Sequence, residues 1–349
     1  MKVLSLANQP RGVRLRSVAS YLPSRVVTND DLAALGAALT PDEIVRLSGI
    51  VERRWAADDE ATSDLAIRAC RRAVERADLT PGDISRLIVA TVSPDHASPS
   101  AACFVQRALA LGQAPAFDLT ASCSGFLYAL DCAVRAVLTG DDHVLACAAD
   151  VRSRFLDMSD RATCALFGDG AGAAVVSSCP PGEGILGIGL LADGTGVHSV
   201  YVPAGGSRRP ATHATVDAHE HTIRMSEGPQ VYLAAVEGMA ETSERILGAL
   251  GLSWSDVDLV VPHQPNRRIL ERLTRILRIP AEKMFIDVER IGNVSGATCA
   301  IALDEALRTR SLPEGARVML LAAGAGYTAG AALLRIDSDL LARSRRPDA

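Results

Sequence analysis

A long internal duplication constrains the fold of this chain more than any other feature of its sequence. The segment DISRLIVATVS (83–93) resembles DVDLVVPHQP (256–265), and residues 116–149 resemble residues 285–323. A third pair, GDGAGAAVVS (168–177) and YTAGAALLRI (327–336), follows in the same order. Each copy alternates apolar runs, typical of buried strands, with apolar-periodic helices. The repeat predicts an α/β fold with mostly parallel sheets and two halves related by a pseudo-twofold axis.

The duplication also predicts how the chain is divided. We expect an N-terminal half over residues 1–180 and a C-terminal half over residues 181–349. The chain has 349 residues, of which 48% are hydrophobic, so it can bury a substantial core.

Composition and charge exclude several classes of function. The net charge of −5 argues against broad nucleic-acid binding. No apolar run reaches membrane-spanning length, and the apolar run in the first residues, MKVLSLANQPRG, is too short for a signal peptide. We therefore expect a cytoplasmic protein without membrane contact.

No metal or disulfide framework is expected. The eight cysteines form no CxxC pair, so zinc and dithiol redox sites are not predicted. His213, His219 and His221 lie close together, but the polar stretch around them is more typical of a solvated loop.

Cys123 is the first candidate catalytic residue. A strand-like run, Ala116–Leu119, enters the turn SCSG, and an apolar-periodic helix leaves it over Gly125–Leu138. The free N–H groups of a first helical turn favour a thiolate over a thiol. Serine and glycine neighbours let a substrate approach the sulfur. The alternative is a buried structural cysteine in a crowded turn.

His263, in VPHQPN, and Asn293, in IGNVSGA, are the second and third candidates. The repeat makes the Cys123 turn the counterpart of the turn at Asn293–Gly296, and it puts His263 at the carboxyl end of a strand, where α/β sheets bind ligands. A neutral imidazole and an amide donate hydrogen bonds to an oxygen that becomes negative. Separately, each residue also fits a core histidine or a helix cap. Their corresponding positions in the repeat favour one joint site.

The motifs together resemble the ketoacyl-acyl-carrier-protein synthase III family of the thiolase superfamily, from Leu15 to Ile336. The resemblance implies a thiolase-like layered fold. It is carried by SPSAAC (98–103), SCSGFLYAL around Cys123, SDRAT (159–163), FGDGAGAAV from Phe167, VPHQPN, GNVSGATCAIALDEA from Gly292 and GAGYTAG (324–330).

The resemblance also implies roles for individual residues. Cys123 matches the acylated nucleophile, and His263 and Asn293 match the decarboxylation pair. The backbone N–H groups of Cys123 and Ala325 match the acyl oxyanion hole. The implied substrate-binding positions are Arg161, Ser98, Phe167, Met225, Ala323 and Asn266.

The implied reaction has two halves. Cys123 takes an acyl group from a coenzyme A or carrier-protein thioester, and the acyl-enzyme then condenses with the enolate of a decarboxylated malonyl thioester. No metal or organic redox cofactor is implied, and the family forms homodimers whose partner reaches into the acyl pocket. One alternative is an acyltransferase of the same fold that passes the acyl group to an alcohol or amine. A more distant alternative is a non-catalytic scaffold for an acyl-carrier protein.

Departures from the family pattern indicate specialised metabolism, such as starter-unit condensation in polyketide assembly. The segment PDEIVRLSGI (41–50) lacks the tryptophan that clasps the adenine of coenzyme A in the family, which favours a carrier-bound donor. Ser98 and Ala323 stand where the family often has phenylalanine, so we expect a larger acyl site. The alternative is that Phe104, Phe155 or Tyr327 fills the space.

A carrier-docking surface is predicted on the helix HQPNRRILERLTRILRIP (263–280). Arg268, Arg272 and Arg275 lie on one face of this helix. In the family this region meets the acidic carrier protein, although a solvated arginine face is the alternative. The predicted core face comprises Ile269, Leu273, Ile276 and Leu277.

Overall fold

The computed structural model describes residues 1–6 and 9–347. Its strands are β1 (Val3–Ser5), β2 (Gly12–Tyr21), β3 (Arg25–Thr28), β4 (Glu52–Trp55), β5 (Arg86–Ala90), β6 (Ala116–Leu119), β7 (His143–Asp150), β8 (Gly170–Cys179), β9 (Gly184–Ala192), β10 (Val200–Tyr201), β11 (Arg224–Met225), β12 (Leu259–Pro262), β13 (Arg317–Gly324) and β14 (Thr328–Arg335). Its α-helices are α1 (Asn29–Ala34), α2 (Pro41–Ser48), α3 (Thr62–Arg76), α4 (Ala101–Ala108), α5 (Gly125–Leu138), α6 (His213–Asp217), α7 (Gly228–Leu250), α8 (Arg267–Leu277), α9 (Val288–Ile291), α10 (Thr298–Thr309) and α11 (Ser338–Ser344).

The main sheet repeats one strand order in its two halves. Along the sheet the order is β12-β13-β14-β9-β2-β8-β7-β5-β6, with β1 added to β9. In the first half β5 is parallel to β6 and β7, and β7, β8 and β2 are antiparallel. In the second half β12 is parallel to β13, and β13, β14 and β9 are antiparallel. The α/β class and the two related halves are confirmed, and the sheet is mixed because β8 and β14 return antiparallel after each parallel unit.

Very few backbone hydrogen bonds join the two half-sheets. Between β2 and β9 the sheet is joined by the single parallel pair of Val13 and Gly184. The predicted division between residues 180 and 181 lies in the turn between β8 and β9. It stays a prediction, because the sheet runs continuously from one half into the other.

Helices form three layers around the half-sheets. α5 and α10 pack in the middle, and their residues share one buried core with strands of both halves. α3 and α4 cover the outer face of the first half, and α7 and α8 cover that of the second. α5 and α10 are buried on most of their surface, as expected of helices between two sheets. This layering places the amino ends of α5 and α10 together in the interior.

A glycine in β8 permits the close approach of α10. A Cβ atom at Gly172 would lie 2.5 Å from the Cβ of Ala300 and 3.1 Å from the backbone nitrogen of Ile301. The small residues of GDGAGAAVV therefore bring strand and helix backbones together.

Two details of the described residues bear on the sequence predictions. On α8 the buried apolar residues are Ile269, Leu270, Leu273 and Leu277, whereas Ile276 is 37% exposed. The prediction of Ile276 as a core residue is thus wrong. Leu270 lies three residues before Leu273 and seven before Leu277, so it belongs to the buried face of the helix in place of Ile276. Within residues 1–6 and 9–347, no helix combines the length and apolar character needed to cross a bilayer.

Candidate functional site

The three candidate catalytic side chains line one cavity. Cys123, His263 and Asn293 all border a largely apolar cavity of about 670 Å³, and Ala325 borders it as well. The cavity is large enough for an acyl thioester. Three side chains that are distant in the sequence therefore lie at one cavity, as the repeat predicts.

The turns before α5 and α10 are structural counterparts. Each is a short 3₁₀ turn, Ser122–Ser124 in the first half and Ser295–Ala297 in the second. Each begins with a serine in the left-handed region, with φ of 47° at Ser122 and 50° at Ser295. Cys123 and Gly296 therefore occupy the same position in the two copies, and Cys123 Sγ lies 4.0 Å from Ser295 Oγ.

Asp150 links the two halves at this point. Its Oδ2 accepts a hydrogen bond from the Gly296 N–H at 3.2 Å. Its Oδ1 accepts from the Val92 N–H at 2.8 Å and from the Ser93 hydroxyl at 3.0 Å. The turns also touch directly, because a Cβ at Gly296 would lie 2.9 Å from the backbone oxygen of Ser122. The carboxylate and the glycine together fix the spacing of the two turns.

Burial keeps the cysteine protonated. It raises the pKa of the Cys123 thiol to about 11, although the positive charge of Arg152 acts in the opposite direction. Burial therefore outweighs the groups that favour the thiolate at this helix start, so the pKa of Cys123 lies above and not below its usual value.

His263 is a neutral imidazole. It follows β12 directly, and only 2% of it is exposed. Burial lowers its pKa to about 3. Its Nδ1 has no hydrogen-bond partner among the described residues. At neutral pH the ring can therefore offer one N–H and one lone pair, but no charge.

Asn293 is oriented by its own turn. Its Oδ1 accepts a hydrogen bond from the Ser295 N–H at 2.9 Å. Its backbone forms a bridge with Phe167, which fixes the residue at the cavity wall. Because Oδ1 is occupied, Nδ2 is the free end of the amide, and it has no partner among the described residues. The side chain can donate a hydrogen bond but cannot take a proton.

Two backbone N–H groups lie ready for a further acceptor. Those of Cys123 and Ala325 donate to no backbone carbonyl in the described part of the chain. Gly324 brings them together, since a Cβ there would lie 2.7 Å from the Cys123 nitrogen. The Thr328 hydroxyl ties this hairpin to the Cys123 turn by donating to the Ala121 oxygen at 3.0 Å. Unpaired N–H groups beside a cavity suit an oxyanion.

Five of the six predicted substrate-binding residues border the cavity. They are Arg161, Phe167, Met225, Ala323 and Asn266. Ser98 does not border it and lies in a loop near the surface.

Two of these five residues also have structural partners. Arg161 donates to the Ala38 oxygen at 2.5 Å and pairs with Glu43 at 2.9 Å, which ties its segment to α2. Asn266 caps α8 by accepting from the Ile269 N–H at 2.9 Å.

Arg152 is a cavity residue that the sequence reasoning missed. It borders the same cavity and is only 7% exposed. The sequence did contain a signal for this residue. Arg152 comes two residues after the end of the buried strand β7, and the carboxyl ends of such strands are where α/β sheets bind ligands.

The predicted docking face is exposed on α8. Arg268, Arg272 and Arg275 are all solvent-accessible. None of the three forms an ion pair with a described residue, whereas the neighbouring Arg267 pairs with Glu271 and Glu289. Arg275 Nε donates to the Glu271 backbone oxygen at 3.2 Å, and the other N–H groups of the three arginines are available to an acidic partner.

No candidate metal centre is found in the described ranges, where no three His, Cys, Asp or Glu residues are grouped closely enough to hold an ion.

The chain resembles known proteins over most of its length. The family model "3-Oxoacyl-[acyl-carrier-protein (ACP)] synthase III" matches residues 117–194, and the model of that enzyme's C-terminal part matches residues 247–336. A beta-ketoacyl-[acyl-carrier-protein] synthase III of Caldanaerobacter subterraneus subsp. tengcongensis is 46% identical over 318 residues, which are 90% of this chain and 95% of the relative.

Solved structures show the same similarity. The 3-oxoacyl-[acyl-carrier-protein] synthase III from Aquifex aeolicus superposes with a TM-score of 0.85 at 36% identity, covering 93% of this chain and 100% of the other. The priming beta-ketosynthase of a polyketide biosynthetic pathway superposes with a TM-score of 0.84 at 32% identity, covering 94% and 98%.

We predict that alkylation of Cys123 by iodoacetamide accelerates about tenfold per pH unit between about pH 7 and 10, because only the thiolate reacts and its pKa is about 11. No inflection is expected near the usual histidine pKa, since His263 stays neutral above a pKa of about 3. Peptide mass spectrometry follows the adduct, with exposed Cys103 as the control for general reactivity. A plateau below about pH 8 would contradict the prediction, because it would reveal a low-pKa thiolate.

Proposed function

Since the chain belongs to the 3-oxoacyl-[acyl-carrier-protein] synthase III family of acyltransferase-type condensing enzymes, we propose that Cys123, His263 and Asn293 perform its two half-reactions. The free Nδ2 of Asn293 is the observation that carries this assignment. Because the Ser295 N–H occupies Oδ1, the amide presents a donor to the cavity. A donor stabilises an enolate oxygen, whereas transfer to an alcohol requires a base.

In the first half-reaction, the Cys123 sulfur attacks the carbonyl carbon of an acyl thioester. The N–H groups of Cys123 and Ala325 stabilise the negative charge that develops on the carbonyl oxygen. The bond to the donor sulfur then breaks, and the donor leaves as a thiol with the proton of Cys123. The acyl-enzyme remains as a thioester.

In the second half-reaction, a malonyl thioester loses CO₂ in the cavity. Neutral His263 and the Asn293 amide donate hydrogen bonds to the enolate oxygen that forms. The enolate carbon attacks the acyl carbonyl carbon, the bond from that carbon to the Cys123 sulfur breaks, and the thiolate that leaves takes a proton from solvent. The product is a 3-ketoacyl thioester. Neither step needs a metal or an organic redox cofactor.

The substitution Asn293→Asp should reduce condensation by roughly a hundredfold or more, because a carboxylate repels the forming enolate. Acylation of Cys123 should persist, since Asn293 has no part in that step. Release of CO₂ from a malonyl thioester and intact-protein mass spectrometry measure the two steps separately. The variant Cys123→Ala is the blank for both.

A different result would replace the condensing assignment with the acyltransferase alternative. That result is a wild-type protein that forms no CO₂ from any malonyl thioester but transfers its acyl group to an alcohol or amine.

We also propose that the enzyme serves starter-unit condensation in polyketide-type metabolism. The space beside Ala323 supports this proposal, because the neighbouring Gly238 has no side chain to fill it. Neither Phe104 nor Phe155 borders the cavity. Tyr327 borders it, but its hydroxyl is bonded to Ser199 at 2.8 Å. The similarity to a polyketide priming ketosynthase points the same way.

Substituting Ala323→Phe should narrow the acyl range towards short chains, because a buried phenyl ring takes the space beside the sulfur. We expect acetyl transfer to Cys123 to stay within about threefold of wild type, and transfer of longer or branched acyl groups to fall about tenfold or more. Competition between pantetheine thioesters, read by mass spectrometry, gives the ratio. The variant Ala323→Ser is the control, because serine differs little in size from the native alanine. An unchanged chain-length profile in the phenylalanine variant would count against an enlarged site at Ala323.

A carrier protein is the proposed acyl donor, and the exposed Arg268, Arg272 and Arg275 are its proposed docking surface. Reversing these three charges to glutamate should slow acylation from a carrier protein by about tenfold or more at low salt, and the effect should shrink as salt rises. Acylation from a short pantetheine thioester should be unaffected. Arg71→Glu, an exposed change on α3, is the control. Equal slowing with both donors would argue against docking on α8.

Assembly as a homodimer is proposed on the free edge of the main sheet. β6 ends the strand order, and Phe117 on this strand is 38% exposed. An unpaired edge of this kind accepts a strand from a second copy. Ser98 would then face the partner's acyl pocket. The cytoplasmic location stays a prediction.

A further inference from the structure

A buried arginine without an acidic partner borders the catalytic cavity. The Arg152 guanidinium lies against the rings of Phe155 and Phe167, with its central carbon 5.4 Å and 5.6 Å from their centroids. Its single side-chain hydrogen bond among the described residues runs from Nη1 to the Val92 oxygen at 3.5 Å, the limit of such a bond. Nε is buried without a partner. The aromatic rings stabilise the positive charge but leave the N–H groups at the edge of the guanidinium without close acceptors.

Two other buried arginines show what a structural role requires in this fold. Arg53 donates to three oxygens, those of Asn29 Oδ1 at 2.7 Å, Ala165 at 2.9 Å and Val27 at 3.2 Å. Arg76 pairs with Asp304 at 2.6 Å. In both Arg53 and Arg152, Nε is buried without a hydrogen-bond partner among the described residues, so this atom does not distinguish them. Arg152 differs because it has neither an ion pair nor a short hydrogen bond.

The acids nearest to Arg152 are committed elsewhere. Asp150 accepts four hydrogen bonds, from the donors at the end of β5 and from Gly296. Asp169 accepts four more, including one from the backbone N–H of Arg152 itself at 2.7 Å. No carboxylate of the described residues lies within ion-pair distance of the Arg152 guanidinium. The charges of Asp150 and Asp169 still act on Arg152 from beyond ion-pair distance. The N–H groups of the buried guanidinium nevertheless lack a close acceptor, which is costly unless a ligand supplies one.

We propose that Arg152 binds a carboxylate at the far end of the acyl group that Cys123 accepts, so that the acyl donor is a thioester of a short dicarboxylic acid. The inference rests on the proposed function, since it requires Cys123 to be the acylated residue. Arg152 and Cys123 border the same cavity, and the charge of the arginine acts on the thiol. The carboxylate does not react. The sulfur of Cys123 forms the new thioester bond, and the donor thiol leaves with the proton.

The malonyl extender is a poorer partner for this arginine. Its carboxylate must lose its charge as CO₂ departs, and a guanidinium paired with it would stabilise the ground state more than the transition state. A carboxylate that persists through both half-reactions gains from the pairing without slowing either one. The geometry therefore assigns Arg152 to the acyl group that stays on the enzyme.

The test compares succinyl and butyryl pantetheine thioesters, which have the same number of carbon atoms and differ in the terminal carboxylate. Acylation of Cys123 is followed by mass spectrometry, and binding to Cys123→Ala protein by calorimetry. We expect wild type to favour the succinyl donor by about tenfold or more. Because the charge of Arg152 also lowers the pKa of the Cys123 thiol, Arg152→Leu should slow acylation by both donors, but the succinyl rate should fall about tenfold more than the butyryl rate, so that the preference is lost. Arg152→Lys should retain part of the preference.

Several controls keep the outcome decisive. Arg154→Leu changes an exposed arginine of the same segment and should preserve the preference. Thermal unfolding establishes that each variant folds, and Arg152→Gln replaces the leucine variant if that one does not. Butyryl preference in wild type, or equal losses with both donors in Arg152→Leu, would overturn the inference.

The result also separates this inference from the proposed function. If butyryl is accepted and condensed without any carboxylate preference, only the role of Arg152 fails. If neither donor acylates Cys123, both fail.

Discussion

The carboxylate of Asp150 holds the two halves of the site in register. It lies at the end of β7 in the first half, accepts hydrogen bonds from the residues that follow β5, and reaches across to the Gly296 N–H of the second half. The backbone of the sheet joins the halves through one residue pair, and the core shared by α5 and α10 packs them together. Cys123 comes from one half, and His263 and Asn293 come from the other. The buried carboxylate adds a hydrogen-bonded link at the point where the two turns meet, and it thereby helps to set the placement of these residues.

Burial determines the kind of chemistry that the site can perform. It keeps the cysteine as a thiol and the histidine as a neutral imidazole, so the two do not form the charged pair of a cysteine protease. What remains are hydrogen-bond donors, which in the proposed reaction stabilise oxygens that become negative. Arg152 is the exception, because it retains a donor-rich cation where the rest of the wall is largely apolar.

Much of this arrangement is readable from the sequence because it is encoded locally and twice. The turns that follow Ala121 and Val294 recur at matching points of the repeat, so the α/β class and the meeting of Cys123 with Asn293 at one cavity are predictable without tertiary information. The high pKa of Cys123 does not follow, since it depends on how much of the surrounding protein excludes water. Nor does the importance of Arg152, because its lack of an ion pair is visible only after every nearby carboxylate has found its own donors. The error at Ile276 has a simpler cause: a helix face read from spacing alone is uncertain at its margins.

The contact between the two turns has a consequence for the symmetry of the duplicated fold. Position 296 is the equivalent of position 123 in the other copy, and it is a glycine whose missing side chain makes room for the backbone of Ser122. A cysteine there would collide with the first copy, so two cysteines cannot occupy these equivalent positions at this spacing. The close packing of the turns therefore imposes a chemical asymmetry on a fold whose backbone is repeated.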